Sequence, residues 1–549
     1  MVMASEKMQQ RVLFFLTLSL ATAWPLFAPA QNLPASPAGQ RIEITFSPDA
    51  LPAGPADLVD FSVSFTSPKG STFEIPGFWD GKNQFKVRFR PTEEGQWKYS
   101  TRSNPKVNGL DGLQGEWQCG KNYSLNPWNK HGILKVNGTH LEHQDGTPFF
   151  WMGDTVWNGP LLSSDADWET YLKDRKAKEF SVIQFNVLAP WRAGEADEKG
   201  NQAFTSGGPM RINPVFFQRL DKRMQAIETA GMAAAPVLVW SLTKKDPGQF
   251  LSNEDILRLV RYQVARYESF PVVWILAGDN PYNPQQTEKW KKIGREVFAR
   301  GHHAPVTTHP TGMNWPWESW RNEKWLSLFG YQSGHGDDAR TLKWIHSGPV
   351  TASVHKGADR PIINLEPPYE DHVAYQSKKP HSDFSVRRAI YWSLFAAPVA
   401  GVTYGGHGMW SWQMKPGVPL DHPGTGRAQP WHIAKDLPGA LQMKYLARLM
   451  KSFEWWKLQP APLLLIEQPG NQNPARHISV MQASDNSGVL AYLPEGGNVR
   501  LRPAINNPAS QEWHNPLTGE KKKATQQGGV YQAPDNQDWI LCIRGAVNP

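Results

Sequence analysis

From about residue 148 to residue 404 the chain repeats one pattern eight times: a short apolar run of strand length, then a longer stretch with helical periodicity. A strand that returns through a helix re-enters its sheet in the same direction, so this alternation calls for parallel pairing. The apolar runs lie at 149–153, 182–188, 233–240, 272–277, 305–308, 325–331, 362–365 and 401–404. The stretches between them carry helix start and stop signals. Ser252 with Asp255 reads as a capping box ahead of Ile256, Leu259, Val260 and Val264 on one face. Asn213-Pro214 opens another helix, carrying Phe217, Leu220, Met224 and Ile227 and ending at Gly231. Eight units in this length suit an α/β fold of the (β/α)8 TIM barrel type, which needs about 250 residues. An open doubly wound sheet fits less well, because no glycine-rich phosphate loop follows the first run.

Both flanks read as β-structure. Residues 40–122 hold short alternating runs such as Phe61-Ser62-Val63-Ser64-Phe65 and Phe85-Lys86-Val87-Arg88-Phe89, separated by turns at Pro68-Lys69-Gly70 and Asp80-Gly81. That pattern predicts an N-terminal β-sandwich. After a last helix over about 437–453 and the break Pro460-Ala461-Pro462, runs such as Val489-Leu490-Ala491-Tyr492-Leu493 predict a C-terminal β-sandwich. The expected organisation is a signal peptide over 1–30, a sandwich over 40–122, a barrel over 131–455 and a second sandwich over 460–549.

Lys7 and Arg11 precede the apolar run Val12 to Leu20, and Ala28-Pro29-Ala30 follows as a small-residue cleavage site. Export to the periplasm or the extracellular space is therefore expected. No later segment is long and apolar enough to span a membrane after signal cleavage. The formal charge of +8 is spread along the chain without a basic helix, so nucleic acid is not an expected partner. The 25 Trp residues suit both sugar stacking and large cores, with core packing the commoner use. Cys119 and Cys542 are too few for a disulfide framework, and sequence leaves their pairing open.

Reactive groups of a (β/α)8 barrel sit where strands end at the C-terminal face. Strand four runs into Asp279 and strand seven into Glu366, and these strands face each other across the mouth. Glycoside hydrolysis needs such a pair, one carboxyl to protonate the departing oxygen and one to capture the oxocarbenium-like centre. Asp279 is then the acid/base and Glu366 the nucleophile, with Glu370 the alternative if strand seven ends later. A single carboxylate at such a place more often pairs with an arginine or caps a helix; two together shift the balance. Asp154 and Trp157, Asn186 and Trp191, His309, Gln332 and His335, Tyr369, and Tyr404, His407, Trp410 and Trp412 lie at or beyond strand ends and supply candidate sugar contacts. The spacing of His302, His303 and His309 matches no zinc motif, so neither metal nor cofactor is expected. No Gly-x-Ser-x-Gly elbow is present.

The runs Met152-Gly153-Asp154-Thr155-Val156-Trp157, Trp274-Ile275-Leu276-Ala277-Gly278-Asp279, Tyr331-Gln332-Ser333-Gly334-His335 and Asn364-Leu365-Glu366-Pro367-Pro368-Tyr369-Glu370 resemble the apiosidase-like family of bacterial glycoside hydrolases. Gly77-Phe78-Trp79-Asp80-Gly81 is similar to the sandwich that often precedes that barrel. The tail around Trp513-His514-Asn515-Pro516 resembles the β-domain that carries a collagen-binding label in the family. The resemblance implies a retaining mechanism, with the acid/base role on Asp279 and the nucleophile role on Glu366. It also implies a carbohydrate substrate, in characterised members the apiose of a branched pectin. The chain departs from the family pattern at Asn280, where arginine is common, a difference expected to alter the sugar subsite. Two other functions fit a secreted protein of this layout: a non-catalytic glycan-binding protein on a degenerate barrel, and an esterase or lyase acting on the same polymers.

Overall fold

The computed structural model describes residues 33–51, 54–188, 196–205, 209–299, 303–505 and 508–545. The expected signal peptide and Trp191 lie outside the described residues. Eight parallel strands form the central sheet: β1 Trp151–Thr155, β2 Val182–Asn186, β3 Ala233–Trp240, β4 Trp274–Gly278, β5 Val306–Thr307, β6 Phe329–Gln332, β7 Ile362–Glu366 and β8 Gly401–Gly405. Their order is β5-β4-β3-β2-β1-β8-β7-β6. Ser327 N and Leu328 N donate to Val306 O at 2.9 and 3.3 Å, and Gly330 N donates to Thr307 Oγ1 at 2.7 Å. These bonds draw β5 and β6 together, so the sheet is nearly closed into a barrel.

The barrel helices are α1 Asp165–Ala177, α2 Pro214–Thr229, α3 Asn253–Tyr267, α4 Pro284–Phe298, α5 Trp317–Trp320, α6 Ala339–Ser347, α7 Asp383–Phe395 and α8 Pro438–Lys451. The start signals act as read: Asn213 accepts from Val215 N at the head of α2, and Ser252 from Asp255 N at the head of α3. Each strand is buried on both faces, which is why the sequence shows unbroken apolar runs instead of alternation. Val182, Ala233, Ala235, Val273, Ile275, Ile363 and Leu365 fill the interior, while Ile183, Phe185, Leu238, Trp274 and Leu276 face the helices. No described tryptophan is exposed, in keeping with core packing as their main use.

Two strand boundaries differ from the sequence reading. Phe149, read as the start of strand one, instead belongs with Pro148 to a short strand that pairs with the hairpin strand His140–His143, and Leu134, Leu141 and Phe149 plug the bottom of the barrel. Trp325, read as the start of strand six, lies in the connection before β6 and packs against Gly294 of α4, where a Cβ would come within 2.1 Å of its ring.

A five-stranded and a three-stranded sheet form the N-terminal sandwich, with Phe61, Phe65, Trp97 and Trp117 packed against Ile44, Val87 and Phe89. The C-terminal region pairs a six-stranded antiparallel sheet with a three-stranded one. The six-stranded sheet places Met481, Leu490, Tyr492 and Ile540 in one core with Ile390 of α7 and Met443 and Leu446 of α8. Cys119 and Cys542 are buried free thiols in these separate cores.

Charge ties the N-terminal sandwich to the barrel. Asp221 of α2 accepts from Arg88 of the sandwich at 3.0 and 2.5 Å and from Arg266 of α3 at 2.8 and 2.6 Å. Burial pushes the Asp221 carboxyl up, but the two guanidiniums outweigh it and hold it down at about 2. Asp221→Ala leaves two buried guanidiniums short of their shared anion and is expected to cost about 3–5 kcal/mol in urea unfolding near neutral pH. Because the folded carboxyl is depressed, this contribution is complete above the ordinary aspartate value and is lost as pH falls through about 2.

Candidate active site

Side chains alternate along a strand, and Ile362 and Asn364 of β7 face outward. Strict alternation would turn Glu366 outward too. Instead the β6–β7 register shifts: Tyr331 pairs with Asn364, but Gln332 pairs with Glu366. This bulge leaves Leu365 and Glu366 both on the inner side, a local irregularity of the kind that re-aims side chains at functional sites.

Two imidazoles meet the Glu366 carboxylate there. His335 Nε2 lies 3.1 Å from Oε1 and His309 Nε2 lies 3.3 Å from Oε2. The backbone N–H of Tyr369 donates to His335 Nδ1 at 3.3 Å, so Nε2 carries a hydrogen and donates to Glu366. The Tyr369 phenol bonds Glu366 as well, and it accepts from Trp157 Nε1 at 3.1 Å. Burial pushes the Glu366 carboxyl up, but the hydrogen bond from His335 and the close approach of the His309 imidazole prevail and hold it below the ordinary glutamate value.

Asp279 follows β4 with φ of +50°, a left-handed backbone that aspartate tolerates better than most residues. Gly278 before it is required, since a Cβ there would lie 2.2 Å from the Trp240 ring. Asn280 fixes the turn by donating from Nδ2 to Ser241 Oγ at 2.9 Å and accepting from Tyr282 N at 2.9 Å. The Gln332 amide donates to Asp279 Oδ1 and, at 2.9 Å, to Pro310 O. Burial first, then the negative charge of Glu366, pushes the Asp279 carboxyl well above its ordinary value. The two carboxyls are thus driven apart, one toward the protonated form and one toward the ionised form.

Oxygens of Asp279 and Glu366 and a nitrogen of His309 all lie within 4.8 Å of one another. That spacing alone suits a divalent cation. One oxygen of each carboxyl is already engaged, Asp279 Oδ1 by the Gln332 amide N–H and Glu366 Oε1 by the His335 N–H.

The walls gather most of the residues singled out in the sequence. Trp157 packs edge-on to Trp240 at 5.2 Å and to His309 at 5.5 Å. Asn186 ends β2 at the mouth, 1% exposed, with neither amide atom hydrogen-bonded to protein. Asp154 and Tyr404 do not belong to the mouth. They are register neighbours on β1 and β8 and both face outward, Asp154 bonded to Arg175 Nε at 2.7 Å and to the Tyr171 hydroxyl, Tyr404 donating to Glu370. His407 and Trp410 form a second layer: Trp410 Nε1 donates to His407 Nδ1 at 3.1 Å, and His407 Nε2 is 3.2 Å from Gly426 O. Trp412 stacks on Trp431 in the outer core. Glu370, the alternative nucleophile, is turned away, its Oε2 accepting from Tyr404 at 2.6 Å and from Gly439 N at 2.9 Å.

Sequence reasoning missed Trp240, His372 and Tyr375. His372 stacks on His335 at 4.1 Å, and half-exposed Tyr375 stands edge-on to His335 at 5.6 Å. Tyr375 feels both carboxylates, whose charge adds to burial in pushing its phenol up. No periodicity marks this loop, but its position directly after the candidate nucleophile was a usable signal.

A (β/α)8 barrel with two carboxyls of opposite tuning at its mouth defines the class, and the chain is a glycoside hydrolase. Residues 135–457 match the model of the apiosidase-like catalytic domain, and the chain belongs to that family. Residues 39–104 match a domain of unknown function, DUF5060. The fold is similar to a solved "Glycoside hydrolase" at 23% identity and TM-score 0.65, covering 78% of this chain and 99% of that one. It is also similar to a glycoside hydrolase family 5 structure from Bacteroides vulgatus ATCC 8482 at 21% identity and TM-score 0.67, covering 78% and 95%. A further structure from that organism, at 18% identity and TM-score 0.67, covers 93% of this chain and 100% of its own, so the shared fold takes in the flanking β-regions. No curated protein sequence matches the chain.

Because the Asn186 amide has no protein partner to lose, Asn186→Ala should leave the thermal unfolding midpoint unchanged. It should lower kcat/KM by about 5- to 100-fold, the loss expected for one substrate hydrogen bond.

Proposed function

We propose that this hydrolase is a retaining glycosidase that releases sugar from a polysaccharide side chain or an oligosaccharide, with Glu366 as nucleophile and Asp279 as acid/base. The observation that carries the proposal is that one carboxyl oxygen of Asp279 and one of Glu366 lie within 4.8 Å of each other, too close for a water to fit in line between them. Retaining enzymes hold the pair about 5–5.5 Å apart, whereas inverting enzymes leave about 6.5–9.5 Å for a water between them. Family likeness alone suggests apiose, and Asn280, where arginine is common in the family, argues for a different sugar.

In the first step Glu366 attacks the anomeric carbon as the glycosidic C–O bond breaks, and Asp279 gives its proton to the departing oxygen. Water then attacks the same carbon and yields its proton to Asp279, and the glycosyl ester bond breaks to restore the Glu366 carboxylate. His335 holds the nucleophile by its Nε2–H, while His309 lies between the pair, its Nδ1 3.7 Å from Asp279 Oδ1. The opposite tuning of the carboxyls supports catalysis over glycan binding alone.

Export, to the periplasm or beyond, is part of the same proposal and rests on the Lys7 to Ala30 segment. We also propose sandwich domains at 40–122 and 460–549 flanking a catalytic domain at 131–455, the C-terminal one sharing a core with the barrel helices.

Glu366→Gln should abolish turnover on every substrate. Asp279→Asn should keep measurable activity on aryl glycosides whose leaving groups need no proton and lose it on natural linkages. Equal loss on both substrate types would remove the acid role from Asp279, and reducing-sugar release by Glu366→Gln at the wild-type rate would remove the nucleophile.

The pH dependence follows from the two shifts. Activity needs Glu366 ionised, so kcat/KM rises with pH through its depressed value, and it needs Asp279 protonated, so kcat/KM falls as pH passes its raised value. On an activated aryl glycoside, Asp279→Asn should flatten the alkaline limb and keep the acid limb.

A further inference from the structure

A cavity of about 720 Å³ opens on the outside of the barrel, where α1 and α2 meet the N-terminal sandwich. Its size falls in the range of small-molecule sites, about 300–1,000 Å³. It takes no residue from the barrel mouth. Leu172, Ala226 and Ala230 give it apolar surface, and Thr229 adds a hydroxyl that accepts from the Gln225 amide at 3.3 Å and keeps its own hydrogen to donate.

The charges at its base are matched in place. Arg88 is held by Asp221 and Glu43, and Arg41 by Glu228. The rim differs. Lys173 and Lys176, three residues apart on α1, and Lys222 on α2 are exposed, and among the described residues none has an ion-pair partner within 4 Å. Glu169 is the one lining carboxylate not held by an arginine, so the rim sets three cations against one anion. Arg41, another lining residue, carries a buried Nε donor without an acceptor.

We propose that this cavity is a second, non-catalytic glycan site that holds a carboxylate-bearing stretch of a polysaccharide. The lysines supply point charges for uronate carboxylates, the apolar surface suits the C–H face of a sugar ring, and the Thr229 hydroxyl can donate to a sugar oxygen. Charge complementarity selects an acidic chain over a neutral one, and the glycoside hydrolase class selects a glycan over other polyanions. The proposal depends on that class and not on which residues carry out the chemistry.

The test is binding of polygalacturonate by affinity electrophoresis and calorimetry in a Glu366→Gln background, which prevents degradation of the polymer. Adding Lys173→Ala, Lys176→Ala and Lys222→Ala should weaken binding at least about tenfold at low salt and flatten its salt dependence. Replacing Lys521, Lys522 and Lys523 by Ala, an equal change in net charge on the C-terminal sheet, should leave it intact. Fully methyl-esterified polymer should bind weakly to all variants. Unchanged binding after loss of the rim lysines would overturn the proposal. So would equal loss in the C-terminal control, equal binding of the esterified polymer, or tighter binding of single-stranded DNA at the same lysines. Since no arm requires turnover, a failure here is distinguishable from a failure of the Asp279 and Glu366 assignment.

Discussion

Side-chain parity along the barrel strands decides what this molecule can present at its mouth. A residue at the end of a strand faces either the mouth or the helices, and one step along the chain changes which. β2 sends Val182, Gln184 and Asn186 inward, so its last residue reaches the mouth. β1 and β8 send Asp154 and Tyr404 outward, and both are used to fasten helices and loops. β7 has the wrong parity for a carboxylate at Glu366, and only the register shift against β6 turns it in. The site rests on that single irregularity, because His309, His335 and Tyr369 all converge on the oxygen atoms it brings inward.

The architecture was legible because double burial forces continuous apolar runs, and because Ser252, Asn213 and Pro214 mark helix starts by chemistry that acts locally. Boundaries were less so where apolar sequence continues through a break, as at Phe149 and Trp325. Of the candidate site, Asp279, Glu366, Trp157, Asn186, His309, Gln332, His335 and Tyr369 come together as strand-end position alone suggested. Asp154 and Tyr404 fail for the same reason that Asn186 succeeds: position along the strand was readable, and the face was not. The bulge at Leu365 carries no glycine or proline to announce it. Tyr375 reaches the mouth through a loop pinned by its own N–H to His335 O at 3.0 Å, a tertiary contact without a sequence period.

The difference between the two carboxyls follows from which groups stand beside each, because burial, the largest influence on both, acts in the same direction. Two imidazoles accompany Glu366, whereas Asp279 shares only His309, takes a neutral amide from Gln332 and faces the charge on Glu366. The asymmetry lies in the surroundings, and it is what distinguishes two otherwise similar acids.

The six-stranded C-terminal sheet gives one face to its own small sandwich and the other to α7 and α8, where Tyr391 of α7 stacks on Tyr492 at 4.7 Å. It is therefore a wall of the barrel. A chain ended at Pro460 would uncover an apolar slab beside the helix that follows β7, so this tail is not interchangeable among enzymes as detachable modules are. It can diverge on its far face, but its near face is bound to change only in step with the barrel helices it covers.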